Sequence, residues 1–132
     1  NNKLKELPRL PKGLEIFDCS NNNLPELPIL PKELKRLDCE HNNLRKLPEL
    51  PKELELLNCS NNKLKELPRL PKGLELFDCD SNNLKELPRL PKGLEVIWCS
   101  NNNLPYYDLD GYWKWFYKEN PDLGEANKMG LI

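Results

Sequence analysis

The sequence is poor in several groups on which catalytic, metal-binding and membrane proteins depend. Its 132 residues include one histidine, one methionine and 8% aromatic residues, and the net charge at pH 7 is −1. No run of about 18 apolar residues is present, so we expect no membrane-spanning segment. The single histidine, His41, has no second histidine with which to build a catalytic or metal site. The near-zero net charge provides no whole-chain field that would select nucleic acid or a membrane surface.

Hydrophobic residues, at 38%, are also scarce for a compact globule. That proportion is sufficient for a thin solenoid, whose core is a single file of leucine side chains. Thirteen prolines recur at fixed positions, as in the pairs Pro28 with Pro31 and Pro48 with Pro51. Because proline fixes φ and removes a backbone donor, prolines at regular positions indicate defined structure rather than disorder.

What the sequence does contain is a unit of 20 residues, repeated five times from Asn1 to Ser100 without insertion or deletion. Its pattern is N-N-x-L-x-x-L-P-x-L-P-K-x-L-x-x-L-x-C-x. Residues 1–17 and 61–77 differ only in having Ile16 and Leu76 at the same position. A short fixed period predicts a solenoid, because one such unit cannot bury its apolar side alone.

Each unit is predicted to contain one short strand followed by a turn. In the first unit Phe17 and Cys19 alternate with Ile16 and Asp18, and a period of two places the first pair inside and the second pair outside. An asparagine recurs at the turns as Asn2, Asn22, Asn42, Asn62, Asn82 and Asn102. We expect this buried amide to bond backbone groups of its own coil and the next.

The return leg of the unit, L-P-x-L-P-K-x-L, carries two prolines three residues apart. This spacing favours extended polyproline II over helix, and a 20-residue unit leaves little length for a helix on that side. We therefore expect short parallel strands on the concave side of the solenoid and polyproline-II-like backbone on its convex side.

The frame L-x-x-L-x-L-x-x-N-x-L, which starts at Leu14, resembles the leucine-rich repeat. Together with the return leg, as in L-P-E-L-P-K-E-L-E-L-L-N-C-S-N-N (47–62), it resembles the bacterial 20-residue class of these repeats, found in YopM and the IpaH/SspH-type effectors. The resemblance covers residues 1–105, five units and the start of a sixth, and implies a leucine-rich-repeat solenoid that binds proteins. Cysteine stands where that family usually has an aliphatic residue. Nothing here resembles the ubiquitin-ligase domain of IpaH-type chains, so we expect no enzymatic activity.

Five cysteines at intervals of 20 residues admit three interpretations: metal ligands, disulfides or core side chains. Metal ligands converge on one point, whereas these side chains are predicted to point the same way in a file, roughly 4.8 Å apart. The odd number and the parallel directions disfavour a set of disulfides. We interpret the cysteines as small core residues and expect no metal, no cofactor and a reducing, cytosol-like environment. They are Cys19, Cys39, Cys59, Cys79 and Cys99.

The outward residues of the strands form a predicted partner-binding surface, here named the concave strip. It comprises Ile16, Asp18, Asp38, Glu40, Leu56, Asn58, Leu76, Asp78, Asp80, Val96 and Trp98. The concave positions and their preceding edge hold nine acids and two bases, whereas the convex and turn positions hold fifteen bases and seven acids. Acids beside apolar side chains suit a basic, partly apolar peptide. The alternative is that the acids only keep the sheet face soluble.

The basic convex side has an alternative interpretation as a surface for phosphates or anionic lipid. A row of lysines runs along it as Lys12, Lys32, Lys52, Lys72 and Lys92. Glutamates interrupt this side, among them Glu26, Glu49, Glu66 and Glu86, and no aromatic residues interleave with the lysines as they do in single-strand binders. We therefore expect neither a nucleic-acid partner nor a membrane partner.

The repeat stops at Leu104 and Pro105, and residues 106–132 are predicted to form a C-terminal α-helical cap. This segment holds seven of the ten aromatic residues. Asp108 or Asp110 suits the start of a helix, and Pro121 ends it near Asn120. The inner face is predicted to carry Tyr112, Trp115 and Phe116, with Trp113 and Tyr117 beside it. A second short helix is predicted over Asp122–Gly130. The alternative is that the aromatic residues form a ligand pocket or a dimer face.

At the other end, Leu4, Leu7 and Leu10 begin the core file, and we expect self-association through this uncapped N-terminal end. Taken together, the sequence predicts a non-enzymatic protein-binding module. Two alternatives stay open at this point. One is a designed or purely structural repeat scaffold without a natural ligand, and the other is the substrate-recruiting repeat fragment of a larger bacterial effector.

Overall fold

The computed structural model describes residues 3–129. They form a solenoid with one parallel sheet, followed by two helices. The strands are β1 Ile16–Asp18, β2 Arg36–Asp38, β3 Leu56–Asn58, β4 Leu76–Asp78 and β5 Val96–Trp98. The helices are α1 Leu109–Glu119 and α2 Pro121–Lys128. The predicted solenoid with short parallel strands and a helical end is confirmed.

The five strands lie in chain order, and each residue pairs with its equivalent in the next unit, as Ile16 pairs with Arg36. This register follows from the constant length of the unit. Backbone bonding continues beyond the three-residue strands. The N–H of Glu55 donates to the carbonyl of Lys35 over 2.8 Å, and the N–H of Cys39 donates to the carbonyl of Asn58 over 2.8 Å. Each coil is thereby bonded to its neighbours on both sides of its strand.

The core is a stack of equivalent layers, one from each unit. The central residue of each strand points inward and is buried from β2 to β5, whereas Phe17 of β1 is half-buried. Return-leg leucines such as Leu34 and Leu54 are fully buried, and all five cysteines are buried and unpaired. The described return legs contain neither helix nor strand, as the paired prolines predict.

A residue with positive φ turns the chain after each strand. The φ values are 58° at Asn21, 54° at His41, 54° at Asn61, 56° at Ser81 and 53° at Asn101. The left-handed region crowds Cβ against the backbone, and asparagine enters it more readily than most residues. This preference accounts for asparagine at the first position of the N-N pair in three of these five turns.

The asparagine that follows this turn residue joins neighbouring coils. Nδ2 of Asn42 donates to the carbonyls of Cys39 and Cys19, each over 3.1 Å, and Oδ1 accepts from the N–H of Leu24 over 3.0 Å. The same arrangement recurs at Asn62, Asn82 and Asn102. The bonded neighbour is the preceding coil, so the sequence-based expectation of a bond to the next coil was wrong. Asn2 lies outside the described residues.

Helix α1 closes the far end of the core. Asp108 caps it, because its Oδ1 accepts from the N–H of Gly111 over 2.8 Å. Tyr112 and Phe116 are buried, and the ring of Tyr112 meets the buried ring of Tyr106 edge-on with centroids 5.2 Å apart. These contacts bear out the predicted aromatic packing. Trp115, also predicted on the inner face, is half-buried and contacts the Tyr106 ring at 5.2 Å.

Helix α2 begins at Pro121, directly after Asn120, and packs against α1. Proline fits the first helical position because its missing N–H has no intrahelical partner there. The predicted second helix is confirmed over most of its length, and Gly130 lies outside the described residues. No helix in residues 3–129 has the length and apolar character needed to cross a bilayer.

Candidate functional site

The register of the sheet assembles the concave strip from all five strands. One row joins Asp18, Asp38, Asn58, Asp78 and Trp98, and a parallel row joins Ile16, Arg36, Leu56, Leu76 and Val96. Glu40 and Asp80 follow two residues after Asp38 and Asp78 and extend the strip on one side. Neighbouring strands of a sheet lie roughly 4.8 Å apart. The structure therefore brings all of the sequence-predicted strip residues together on one face.

The polar row is anchored to the backbone. Oδ1 of Asp18 accepts a hydrogen bond from the N–H of Ser20 over 2.9 Å. The equivalent bond to the N–H two residues later recurs at Asp38, Asn58 and Asp78, over 3.0–3.1 Å. Trp98 ends this series, and its indole is 48% exposed. Four side chains of the row are thus fixed in place, and the fifth supplies apolar surface at the end nearest the cap.

Glu40 and Asp80 make lateral bonds between coils. Oε2 of Glu40 accepts from Nδ2 of Asn58 over 3.1 Å, and Oδ1 of Asp80 accepts from the N–H of Ser100 over 2.7 Å. Neither carboxylate forms an ion pair within residues 3–129. At the edge of the strip, by contrast, Nζ of Lys35 lies 3.3 Å from Oε1 of Glu15. Within the described residues, no ion pair therefore neutralises Glu40 or Asp80 at the centre of the strip.

The surroundings of the aspartates shift their pKa values in opposite directions. Partial burial raises the pKa of Asp38 and of Asp78, and nearby acids, Glu40 among them in both cases, raise it further. The hydrogen bonds from Ser20 lower the pKa of Asp18. A cation placed over Asp38 and Asp78 would relieve the repulsion that raises their pKa.

Apolar surface accompanies the acids. Ile16 is 62% exposed, and Leu56, Leu76 and Val96 are half-buried along the same row. Only Arg36 interrupts this row with a charge. A ligand that lies along the strip therefore meets acids on one row and aliphatic side chains on the next.

One residue of interest was not included in the sequence-based strip. Glu55, at the edge beside Leu56, is half-buried, and its Oε2 is buried without a hydrogen-bond partner among the described residues. An unpaired buried oxygen is costly, so a donor from a bound partner would be stabilising there. The sequence identifies Glu55 as an edge acid, but its burial arises from the packing of neighbouring coils and leaves no signal in the pattern.

The cysteines behave as core residues. Burial raises the pKa of the Cys19 thiol to about 12 and that of Cys99 to about 11, and it raises the pKa of the other three as well. A thiol with a raised pKa is a poor nucleophile and a poor metal ligand. Within residues 3–129, no three histidine, cysteine or acidic residues lie close enough together to hold a metal ion.

No family model and no curated protein matches this chain. Solved structures do match. YopM from Yersinia enterocolitica is 41% identical with a TM-score of 0.76, over 77% of this chain and 23% of YopM. YopM from Yersinia pestis, described as a leucine-rich effector protein, is 47% identical with a TM-score of 0.76, over 79% of this chain and 30% of that protein. A Shigella effector LRR domain is 37% identical with a TM-score of 0.76, over 80% of this chain and 50% of that domain. The chain thus spans half or less of the length of each.

Proposed function

Because this chain is built from leucine-rich repeats of the bacterial effector type, we propose that it is a non-enzymatic protein-interaction module whose concave strip binds a basic, partly apolar peptide segment of its partner. The observation that carries this proposal is the set of unpaired acids at the centre of the strip. Asp38 and Asp78 have raised pKa values because they are partly buried near other acids. Binding of a lysine or arginine side chain would offset that repulsion.

The shape of the strip supports an extended ligand. Its two rows run across five parallel strands, and each strand contributes one residue to each row. Side chains of an extended peptide alternate in direction, so charged and apolar residues in alternation suit adjacent acidic and aliphatic rows. Exposed Trp98 provides a large apolar contact at one end, of the type that often dominates binding energy.

The test is a binding titration with a fluorescent peptide of alternating lysine and leucine. We expect saturable binding that weakens as salt rises to about 0.5 M, because the screening length shrinks. Replacing Asp38, Asp78 and Asp80 together by lysine is expected to abolish binding. The matched control replaces the exposed convex residues Glu26, Glu49 and Glu66 by lysine, which makes the same change in net charge, and is expected to leave binding within about twofold of the original. Loss of binding in the control instead would reject the concave site.

Self-association through the N-terminal edge is a separate proposal. Leu4 is 42% exposed, and Leu7, Leu10 and Leu14 are half-buried, whereas the equivalent leucines of the next unit are buried. Within residues 3–129, β1 pairs with β2 and with no other strand, and an unpaired strand edge favours association. Sedimentation at rising concentration should show reversible oligomers that the Leu4→Glu, Leu10→Glu variant lacks. A monomer throughout the concentration range would refute this proposal.

A further inference from the structure

A groove on the convex side of the fourth and fifth units is lined by four basic side chains and no acid. The bases are Arg69, Lys72, Arg89 and Lys92. Buried Leu70 and Leu90 and half-buried Pro88 lie between them. None of the four bases forms an ion pair in the described part of the chain. The groove therefore combines an uncompensated positive rim with an apolar floor.

The same groove between the second and third units provides an internal comparison. It is lined by Lys32 and Lys52 together with Glu49 and Glu53, so its formal charge is neutral. The two grooves occupy equivalent positions two repeats apart in one solenoid. The fold therefore does not require the positive charge of the groove between the fourth and fifth units. That charge arises from a few differences in sequence between the units.

Two of these substitutions are glycines that the backbone does not need. Gly73 and Gly93 occupy the position held by Glu33 and Glu53 in other units. A Cβ added at either glycine would meet no atom within 4 Å, and neither glycine has the positive φ that Gly13 has, at 81°. Neither space nor conformation therefore explains these glycines. Gly93 lines the basic groove, and Gly73 directly follows Lys72 of its rim, so neither position adds an acidic side chain there.

One base of the rim is already held in place. The guanidinium carbon of Arg89 lies over the ring of Phe116 on helix α1, 5.3 Å from the ring centroid. Lys92 also borders a cleft with Trp113 and Tyr117 of the same helix. A cation–π contact limits the orientations of the arginine. Less conformational entropy is then lost when the guanidinium binds a ligand.

We propose that this convex groove binds an extended acidic segment of a partner protein. Arg69 and Arg89 pair with its carboxylates, because a guanidinium fork matches a carboxylate in two parallel hydrogen bonds. Alternate side chains of the segment pack on the floor of Leu70 and Leu90. This site is distinct from the concave strip, since it lies on the opposite face and carries the opposite charge.

The experiment uses the full chain and a fluorescent peptide of alternating glutamate and leucine. We expect the Gly73→Glu, Gly93→Glu variant to bind it about tenfold more weakly than the original protein, because one acid enters the groove at position 93 and a second lies directly after Lys72 of the rim. The matched control, Asn23→Glu with Ile29→Glu, makes the same change in net charge at exposed positions of the second unit. It is expected to bind within about twofold of the original protein. Equal binding by the glycine variant and the original protein would overturn the proposal.

A gain of binding provides the converse test. Ile29→Arg, Glu49→Arg and Glu53→Gly together give the neutral groove the four bases of the basic one, and calorimetry should then find two peptides bound per chain instead of one. An unchanged stoichiometry would contradict the proposal.

A short oligothymidylate tests whether the groove binds nucleic acid instead. If it bound the original protein more tightly than the acidic peptide does, the proposal that the ligand is an acidic peptide would be wrong. Binding of the lysine–leucine peptide by the glycine variant should stay unchanged, which separates this site from the concave strip.

Discussion

The hydroxyl of Tyr112 accepts a hydrogen bond from the backbone N–H of Leu90, with 3.1 Å between Oη and the nitrogen. Both residues are buried, so the bond joins helix α1 to the return leg of the fifth unit where water is excluded. The ring of Tyr112 also stacks on Phe116 at 5.8 Å and meets Tyr106 edge-on. One side chain thus joins the cap to the repeats by both packing and hydrogen bonding.

Tyr112→Phe should keep this packing and lose only the hydrogen bond. The Leu90 N–H would then be buried without a partner, which we expect to lower the free energy of unfolding by about 1–3 kcal/mol. Tyr117→Phe is the control, because Tyr117 is half-buried and makes no hydrogen bond through its hydroxyl in the described structure. Denaturant unfolding of both variants measures the difference. Equal midpoints would show that the hydroxyl does not stabilise the cap.

The hydrogen-bonded row of Asn42, Asn62, Asn82 and Asn102, here called the asparagine ladder, should dominate the stability of the repeats. Asn62 bonds the carbonyls of Cys39 and Cys59 and the N–H of Leu44 over 3.0–3.1 Å. Asn62→Ala leaves these buried groups unpaired and should cost about 1–3 kcal/mol in unfolding free energy. Replacing its exposed neighbour, Lys63→Ala, should cost under about 0.5 kcal/mol. If both variants lost a similar amount of unfolding free energy, the hydrogen bonds of the ladder would not be the dominant source of stability.

The acids of the strip should make opposite contributions to stability as pH changes. The pKa of Asp78 is raised on folding, so its stabilising contribution is present in acid and is lost as pH rises through the folded-state pKa. Asp78→Asn should therefore be more stable than the original protein at pH 7 by about 0.5 kcal/mol, with a smaller gain near about pH 3. Asn58 already occupies this position in the preceding unit and makes the same backbone bond.

Asp18→Asn is the matched comparison. The pKa of Asp18 is lowered by Ser20, so its contribution is present at neutral pH and is lost as pH falls through the folded-state pKa. This variant should be less stable than the original protein at pH 7, and the difference should shrink in acid. If both aspartate variants shifted stability in the same direction at pH 7, the pKa assignments would be wrong.

Replacing Ser81 by asparagine should stabilise the turn at this position. Ser81 has a φ of 56°, a conformation that asparagine adopts at Asn61 and Asn101. Ser81→Asn should raise the free energy of unfolding by about 0.5 kcal/mol, because asparagine enters the left-handed region more readily than serine. Asn61→Ser is the reverse substitution at an equivalent turn and should lower stability by a similar amount. Thermal unfolding measures both, and a loss of stability in Ser81→Asn would contradict the explanation.

The fold was largely predictable because a constant period determines the register of every strand. Once Phe17 and Cys19 are placed inside, the pairing of Asp38 with Asp18 and Asn58 follows. The sequence did not reveal the raised pKa of Asp38, the unpaired oxygen of Glu55 or the bond between Tyr112 and Leu90. These depend on side-chain burial and on contacts between different units, which a one-dimensional pattern does not contain.

The central claim is that a basic peptide binds along the concave strip, and a two-dimensional ¹H–¹⁵N NMR titration with the lysine–leucine peptide tests it most directly. We expect the largest amide shifts in residues 36–40, 56–60 and 76–80, and we expect them to decrease as salt rises. The amides of convex Lys32 and Lys52 should stay unperturbed. Shifts confined to the convex side or to helix α1, with the strand amides unchanged, would contradict the account.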